Sequence, residues 1–195
     1  MVQKTAPWRV LQSSYSFKDK WLSLRSETVQ LADGTVLSPY HLLELPDAVC
    51  VVALTSALEI VLVEQYRHGA KRVMTELPAG AVDAGEQPLQ AIRRELLEET
   101  GFAGDDWRLL GTYPANGARH TNSVHAFLAL DVREVDRQRL DRGELLVVCK
   151  LPWHDFNRRL ARGDIVMSSS QLACLFRLQM LVRDAADIGL EKLRI

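Results

Sequence analysis

Three glutamates, Glu95, Glu98 and Glu99, crowd into five positions of the stretch GAVDAGEQPLQAIRRELLEETGF, residues 80 to 102. The stretch predicts a helix over 88–100. Pro88 suits a first turn, where the donor it lacks would be unpaired anyway. Gly101 suits the position just past the end, where the backbone turns left-handed. Leu89, Ile92 and Leu96 recur at three- and four-residue spacing and predict the face turned to a core. On this helix the three carboxylates share one face, because three or four residues make about one turn. Like charges at that spacing repel, and the negative end of the helix dipole adds to the strain. Ala91, one turn earlier on the same face, is small enough not to block it. Arg94 reaches Glu98, but one guanidinium cannot neutralise three carboxylates. A divalent cation can. An oxygen-only cluster suits magnesium or manganese, and the absence of histidine and cysteine from it argues against zinc. Such an ion keeps positions open for water and phosphate oxygens, which points to attack of water on a phosphate ester or anhydride. The competing reading is an ordinary solvated Glu/Arg-rich helix face.

The rest of the chain frames this helix with strands. Residues 8–44 read as a run of strands, with a hairpin around Ala32-Asp33-Gly34. AVCVVALT (48–55) and EIVLVEQYR (59–67) are apolar enough for strands buried on both faces. RVMTELPAG (72–80), WRLLGTYP (107–114), SVHAFLALDV (123–132) and ELLVVCKLP (144–152) are further strands. WHDFNRRLARG (153–163) and SSSQLACLFRLQMLVRDA (168–185) read as helices, the first stopped by Gly163 and the second capped by serines. Strict alternation of strand and helix is missing, so the expected class is α+β, a mixed sheet between helical layers. A length of 195 residues suits one main domain with a small appendage. A net charge of -1 argues against a nucleic-acid coat. No apolar run is long enough to span a membrane, and MVQKTAPWRV lacks the apolar core of a secretion signal. Cys50, Cys149 and Cys174 are odd in number, widely spaced and set among apolar neighbours, as expected of reduced thiols in a cytoplasmic protein.

The opening stretch fits one longer pattern, G-x5-E-x7-R-E-U-x-E-E-x-G-U with U apolar. Gly80, Glu86, Arg94, Glu95, Leu96, Glu98, Glu99, Gly101 and Phe102 fill every specified position. A random window matches on the order of one time in a billion. This pattern is the Nudix box, so the chain resembles the Nudix hydrolases, which cleave a nucleoside diphosphate linked to another group. The resemblance implies an α/β/α sandwich carrying the box as loop-helix-loop around a divalent metal. By position, it implies Glu95 and Glu99 as main metal ligands, Glu98 as an assisting one and the carbonyl of Ala79 as a further one. Arg94 would orient the glutamates, Gly80 and Gly101 would shape the two loops, and Glu86 would support them.

VEQYRHGAKRVMTELPAG (63–80) resembles the segment before the box in the ADP-ribose and nucleoside diphosphate sugar pyrophosphatase branch. There the arginine of Q-x-R, here Arg67, contacts the diphosphate or its sugar; the alternative is a surface arginine at a strand end. Glu76 serves substrate, metal region or structural support. Residues 1–45 are similar to the segment with which this branch builds a homodimer, leaving 46–195 as the hydrolase domain. Trp21 and Tyr40 are then candidates to stack on a nucleobase, or are packing residues. In this branch the catalytic base is often a loop glutamate after the box. LDRGELLVVCKLP nominates Glu144, with Asp141 and His120 as alternatives, while His125 alternates into an apolar strand and is expected to pack.

One departure stands out. The branch commonly shows S-P-G about fifteen residues after the box, and here ANG (115–117) stands in its place. The expected activity is therefore magnesium-dependent hydrolysis of a nucleoside diphosphate sugar, with ADP-ribose and GDP-mannose equally credible. Alternatives are another Nudix substrate (a dinucleoside polyphosphate, coenzyme A or capped RNA) or a domain that senses nucleotide sugars without cleaving them.

Overall fold

The computed structural model describes residues 6–184 and 190–194. The chain forms two compact units. One comprises Met1–Asp47 with Pro114–Ser123, the other Ala48–Tyr113 with Val124–Ile195.

In the first unit, β1 (Arg9–Lys18), β2 (Ser23–Gln30) and β3 (Val36–Glu44) form an antiparallel sheet in that order. The expected hairpin joins β2 to β3 through Gly34, whose φ of 89° only glycine adopts readily. The side chain of Asp33 secures the turn by accepting the Thr35 N–H at 2.9 Å. The segment 114–123 docks on β3. Leu43 N–H donates to Arg119 O at 2.8 Å, and Thr121 N–H donates to Leu43 O at 3.1 Å. β1 is exposed along its whole length and displays Val10, Tyr15 and Phe17.

The second unit is a sandwich. Its strands are β4 (Ala48–Leu54), β5 (Glu59–Arg67), β6 (Arg72–Glu76), β7 (Ala79–Ala81), β9 (Asp106–Pro114), β10 (Ser123–Leu130) and β12 (Leu146–Pro152). The main sheet runs β12-β5-β4-β10-β9, with β6 on β5 and β7 on β4. It is mixed: β10 runs parallel to β4, while β4 and β12 run antiparallel to β5. A two-residue pair, β8 (Phe102–Ala103) with β11 (Arg133–Glu134), escapes any periodicity argument because it is too short to have a period.

Helix α1 (Pro88–Thr100) covers one face of the sheet, and α2 (Trp153–Arg162) with α3 (Ser169–Asp184) covers the other. Alternation along β4 sorts the two layers. Val49, Val51 and Ala53 pack with Ala91, Ile92 and Leu96 of α1. Cys50, Val52 and Leu54 pack with Phe156, Cys174, Leu175 and Leu178 of the other layer. This two-sided burial is why β4 reads as an unbroken apolar run. The end of α3 expected at residue 185 falls outside the described residues.

Two expectations about α1 are corrected. Leu89 is 37% exposed, while Ala91 is fully buried and does not border an open face. In the first turn the helix meets the sheet through Ala91 and Ile92.

Candidate active site

Local chemistry fixes both ends of α1. Gln90 Oε1 accepts the Gln87 N–H at 3.2 Å, and Pro88 occupies the first turn. At the far end Gly101 takes φ 75°, and its N–H reaches Leu97 O at 2.8 Å. A side chain there would also strike Asp136 O. The Gly101 carbonyl accepts the N–H groups of Val135 and Asp136 at 2.9 and 3.2 Å, so the segment after β11 is fastened to the helix end.

Arg94 answers more of the carboxylate crowding than expected. Its Nη1 donates to Glu95 Oε1 at 2.8 Å and to Glu98 Oε2 at 3.2 Å. Its Nε and Nη2 hold Glu86 bidentately at 3.1 and 3.0 Å, and Nη2 also reaches Ala81 O at 3.2 Å. One guanidinium thus ties the loop before the helix to the helix itself. The hydrogen bond from Arg94 holds the Glu86 carboxyl below its ordinary range.

Glu95 and Glu99 face the sheet rather than solvent. β7 pairs with β4 so that Gly80 lies opposite Val49, on the face covered by α1. A Cβ at Gly80 would overlap the Glu95 carboxyl group, so the glycine is a spatial requirement of this seat. Glu99 is 5% exposed and accepts the Ala79 N–H at 3.0 Å. Burial pushes its carboxyl up to about 8, against the pull of that N–H. Burial also raises Glu95, with Arg94 opposing. Glu98 stays half exposed.

Next to this cluster, Glu76 is buried, and both its oxygens are engaged by Arg67. Arg67 Nε lies 3.1 and 3.0 Å from Oε1 and Oε2, and Nη2 lies 2.7 Å from Oε2. Gln65 Nε2 adds a bond at 3.0 Å. Pairing of β5 with β6 sets Glu76 opposite Val63, so Gln65 and Arg67 project on the same side. Glu76 is thereby occupied in holding Arg67, whose charge in turn acts on Glu99. Sequence reading passed over Gln65, although its spacing of two from Arg67 on a strand was the available signal. Glu144 lies on the loop before β12, in a turn where Asp141 N–H meets Glu144 Oε2 at 3.0 Å. Its negative charge adds a smaller upward push on both Glu95 and Glu99. His125, expected to pack, is half-buried on β10, with Nδ1 3.0 Å from Thr112 Oγ1.

Trp21, Tyr40 and His120 belong to the first unit. Trp21 is 70% exposed beside a 170 Å³ cleft, with Lys20 Nζ 4.3 Å from its ring centre. Tyr40 donates its hydroxyl to Ala118 O, meets the Trp8 ring edge-on at 5.4 Å and carries the Arg119 guanidinium 4.4 Å from its ring centre. Asn116, the unexpected residue of ANG, caps its own turn by accepting the Ala118 N–H at 3.2 Å.

The donor set of Glu95, Glu98, Glu99 and the adjacent Ala79 backbone fits a hard divalent cation: it is acidic and all oxygen, and it is seated where a Cβ has been omitted. It is not a finished cage. Among the described residues no three acidic, histidine or cysteine side chains converge as a ready cation site, because Arg94 spans Glu95 and Glu98 while Glu99 turns to Ala79.

Comparison with known proteins agrees with this geometry. Residues 44–170 match the NUDIX domain, and residues 8–43 match the nucleoside diphosphate sugar hydrolase N-terminal domain. The chain is 34% identical over 148 residues to an ADP-ribose pyrophosphatase of Mycobacterium tuberculosis, covering 75% of this chain and 71% of that one. It is 29% identical over 153 residues to an ADP-ribose pyrophosphatase of Bacillus subtilis, covering 78% and 82%. It is likewise 29% identical over 164 residues to a GDP-mannose pyrophosphatase of Klebsiella pneumoniae, covering 75% and 80%. A crystal structure of an ADP compounds hydrolase shares the fold, with a TM-score of 0.78 over 94% of this chain and 98% of that one at 18% identity. With its box intact from Gly80 to Phe102 and its helix seated on a mixed sheet, the chain belongs to the Nudix hydrolases.

Proposed function

We propose that the protein hydrolyses the diphosphate bond of a nucleoside diphosphate sugar, with magnesium as the cation, giving a nucleoside monophosphate and a sugar phosphate. The observation that carries this reading is the fork from Glu76 to Arg67 beside the Glu95–Glu99 cluster. It sets a fixed guanidinium next to an acidic seat, which suits an anhydride whose negative oxygens must be held and neutralised together. Arg67, with Nε and one edge of Nη2 on Glu76, keeps Nη1 for a phosphate oxygen. Arg94 orients Glu95 and Glu98. A bound magnesium supplies charge neutralisation at the diphosphate. Glu144 takes a proton from the attacking water, whose oxygen bonds to phosphorus as the bridging P–O bond breaks. ADP-ribose and GDP-mannose, the substrates named for the relatives, head the candidate list.

A panel of ADP-ribose, GDP-mannose, UDP- and CDP-sugars and a dinucleoside polyphosphate, incubated with magnesium, tests this reading. Release of a nucleoside monophosphate and a sugar phosphate from at least one nucleotide sugar is expected. Cleavage confined to the dinucleoside polyphosphate would defeat it.

The N-terminal unit is proposed to join a second copy of the chain through its sheet, with Trp21 and Tyr40 available to a nucleobase. The support is the exposed apolar residues of β1 and the match of residues 8–43 to the nucleoside diphosphate sugar hydrolase N-terminal domain. Light scattering should give twice the monomer mass, and a monomer at working concentration would remove the proposal. Three cysteines outside any disulfide fit a cytoplasmic location, and no helix among the described residues is long and apolar enough to cross a membrane.

A further inference from the structure

The loop that carries Glu144 has two limbs, and each ends on something firm. Its incoming limb lies along the end of α1. Val135 and Asp136 donate to Gly101 O, and Arg139 N–H donates to Glu98 O at 2.8 Å. Glu98 O is a carbonyl that the helix leaves unpaired in its last turn, and Gly101 O lies just past that turn. Its outgoing limb enters β12 at Leu146, paired with Gln65 on β5. Between the limbs stands one side chain. Gln138 Nε2 donates to Glu99 O at 2.7 Å and to Leu146 O at 3.4 Å. Both partners are carbonyl oxygens, so only the NH2 end of the amide satisfies them, and its two hydrogens match the two acceptors. One amide therefore fastens the last turn of the carboxylate helix to the first residue of β12, across the neck of residues 139–145. The turn from Asp141 to Glu144 forms the tip of that loop.

We propose that Gln138 is a positioning residue, a clasp that closes the neck of this loop and so holds Glu144 at the Glu95–Glu99 cluster. The role rests on the reading of Glu144 as the base that accepts the water proton. Without the clasp the incoming limb keeps its backbone bonds to α1, and the fold has no reason to fail. The neck widens, and Glu144 spends less time within reach of the attacking water. A misplacement of about an ångström at a reacting group costs up to roughly a hundredfold in rate.

The test uses the full chain, magnesium and a nucleotide sugar that the parent cleaves. Gln138→Leu removes both donors at similar size. It should lower kcat roughly ten- to hundredfold with KM within about twofold, because the lost geometry concerns the reacting water rather than substrate binding. Limited trypsin cleavage at Arg142 should accelerate several-fold at the same time, reporting the loosened neck directly. Gln138→Lys restores a donor at the negative end of the helix and should recover most of both losses. Glu144→Gln is run alongside. If it is impaired while Gln138→Leu keeps parental kcat, the positioning role is overturned. If Glu144→Gln retains parental kcat, the assignment of the base fails instead, and the cleavage rate alone decides the clasp: unchanged cleavage in Gln138→Leu overturns it, and faster cleavage upholds it.

Discussion

Glu99→Gln should abolish practical turnover, lowering kcat on the order of a thousandfold, while the protein remains folded. A lost cation contact at a transferring phosphoryl group removes several kcal/mol of transition-state stabilisation, about 4 kcal/mol for that factor. The fold survives for a local reason. Glutamine has the same size, and its carbonyl oxygen still accepts the Ala79 N–H now bonded to Glu99. Glu98→Gln should behave similarly, and near-normal rates in both variants would remove the metal-site assignment. Two companion measurements follow. Saturating magnesium should raise the parent's stability by about 2.7 kcal/mol at a hundredfold excess over Kd, and raise that of Glu99→Gln by much less. The pH response should differ too. Burial pushes the Glu99 carboxyl from its ordinary 4.5 up to about 8 in the folded chain. The folded state thus binds the extra proton between those values, so its stabilising share is complete below the lower one and is lost as pH rises through about 8. In chelator, Glu99→Gln should therefore lose less stability than the parent between pH 5 and 9, measured by denaturant titration. Parallel curves would refute the burial effect on Glu99.

Arg94→Met should cost stability as well as rate. Methionine keeps the packing of the stem but leaves Glu86 and Glu95 without their cation. Breaking a buried ion pair by removing one partner costs about 3–5 kcal/mol, and partial exposure of Arg94 reduces this to roughly 2–3 kcal/mol. For a chain of this size the melting temperature should fall by roughly 5–10 °C. Turnover should fall at least about tenfold through misoriented Glu95 and Glu98. Arg94→Lys should recover little of the orientation, because an ammonium cannot grip Glu86 bidentately while reaching Glu95 and Glu98. A melting temperature within a degree of the parent, by calorimetry, would show that Arg94 is not the hub its contacts describe.

The parts of the site that lay within one helix were legible in the sequence, because a helix turns spacing into adjacency. Pro88, Gly101 and the three glutamates fall where local rules put them. Leu89 misled because spacing names an apolar stripe but not its edges. Only the sheet decides that Ala91, not Leu89, meets it. The role of Glu76 needed the register of β5 against β6, which sets it beside Arg67 and Gln65. That register is a pairing between segments, and neither segment carries it alone. Gln138 was still further from view. It is polar, sits in a loop and acts on backbone carbonyls, and no side-chain pattern advertises such partners. The place of residues 114–123 in the first unit was hidden for the same reason, since backbone bonds to Leu43 hold them there.

The two-sided burial of β4 has a kinetic meaning. A strand packed on both faces opens only when nearly the whole domain does, whereas a surface loop opens in small local fluctuations. Gly80 and Ala79 are bonded to β4, so the seat of Glu95 and Glu99 inherits the longest lifetime the unit offers. The Glu144 loop is held at its neck by a few helix-end carbonyls and has no sheet on either face, so smaller openings are expected to release it. Amide exchange should rank the two at opposite ends of one scale: slow at the carboxylate seat on β4, fast in the loop of the proposed base.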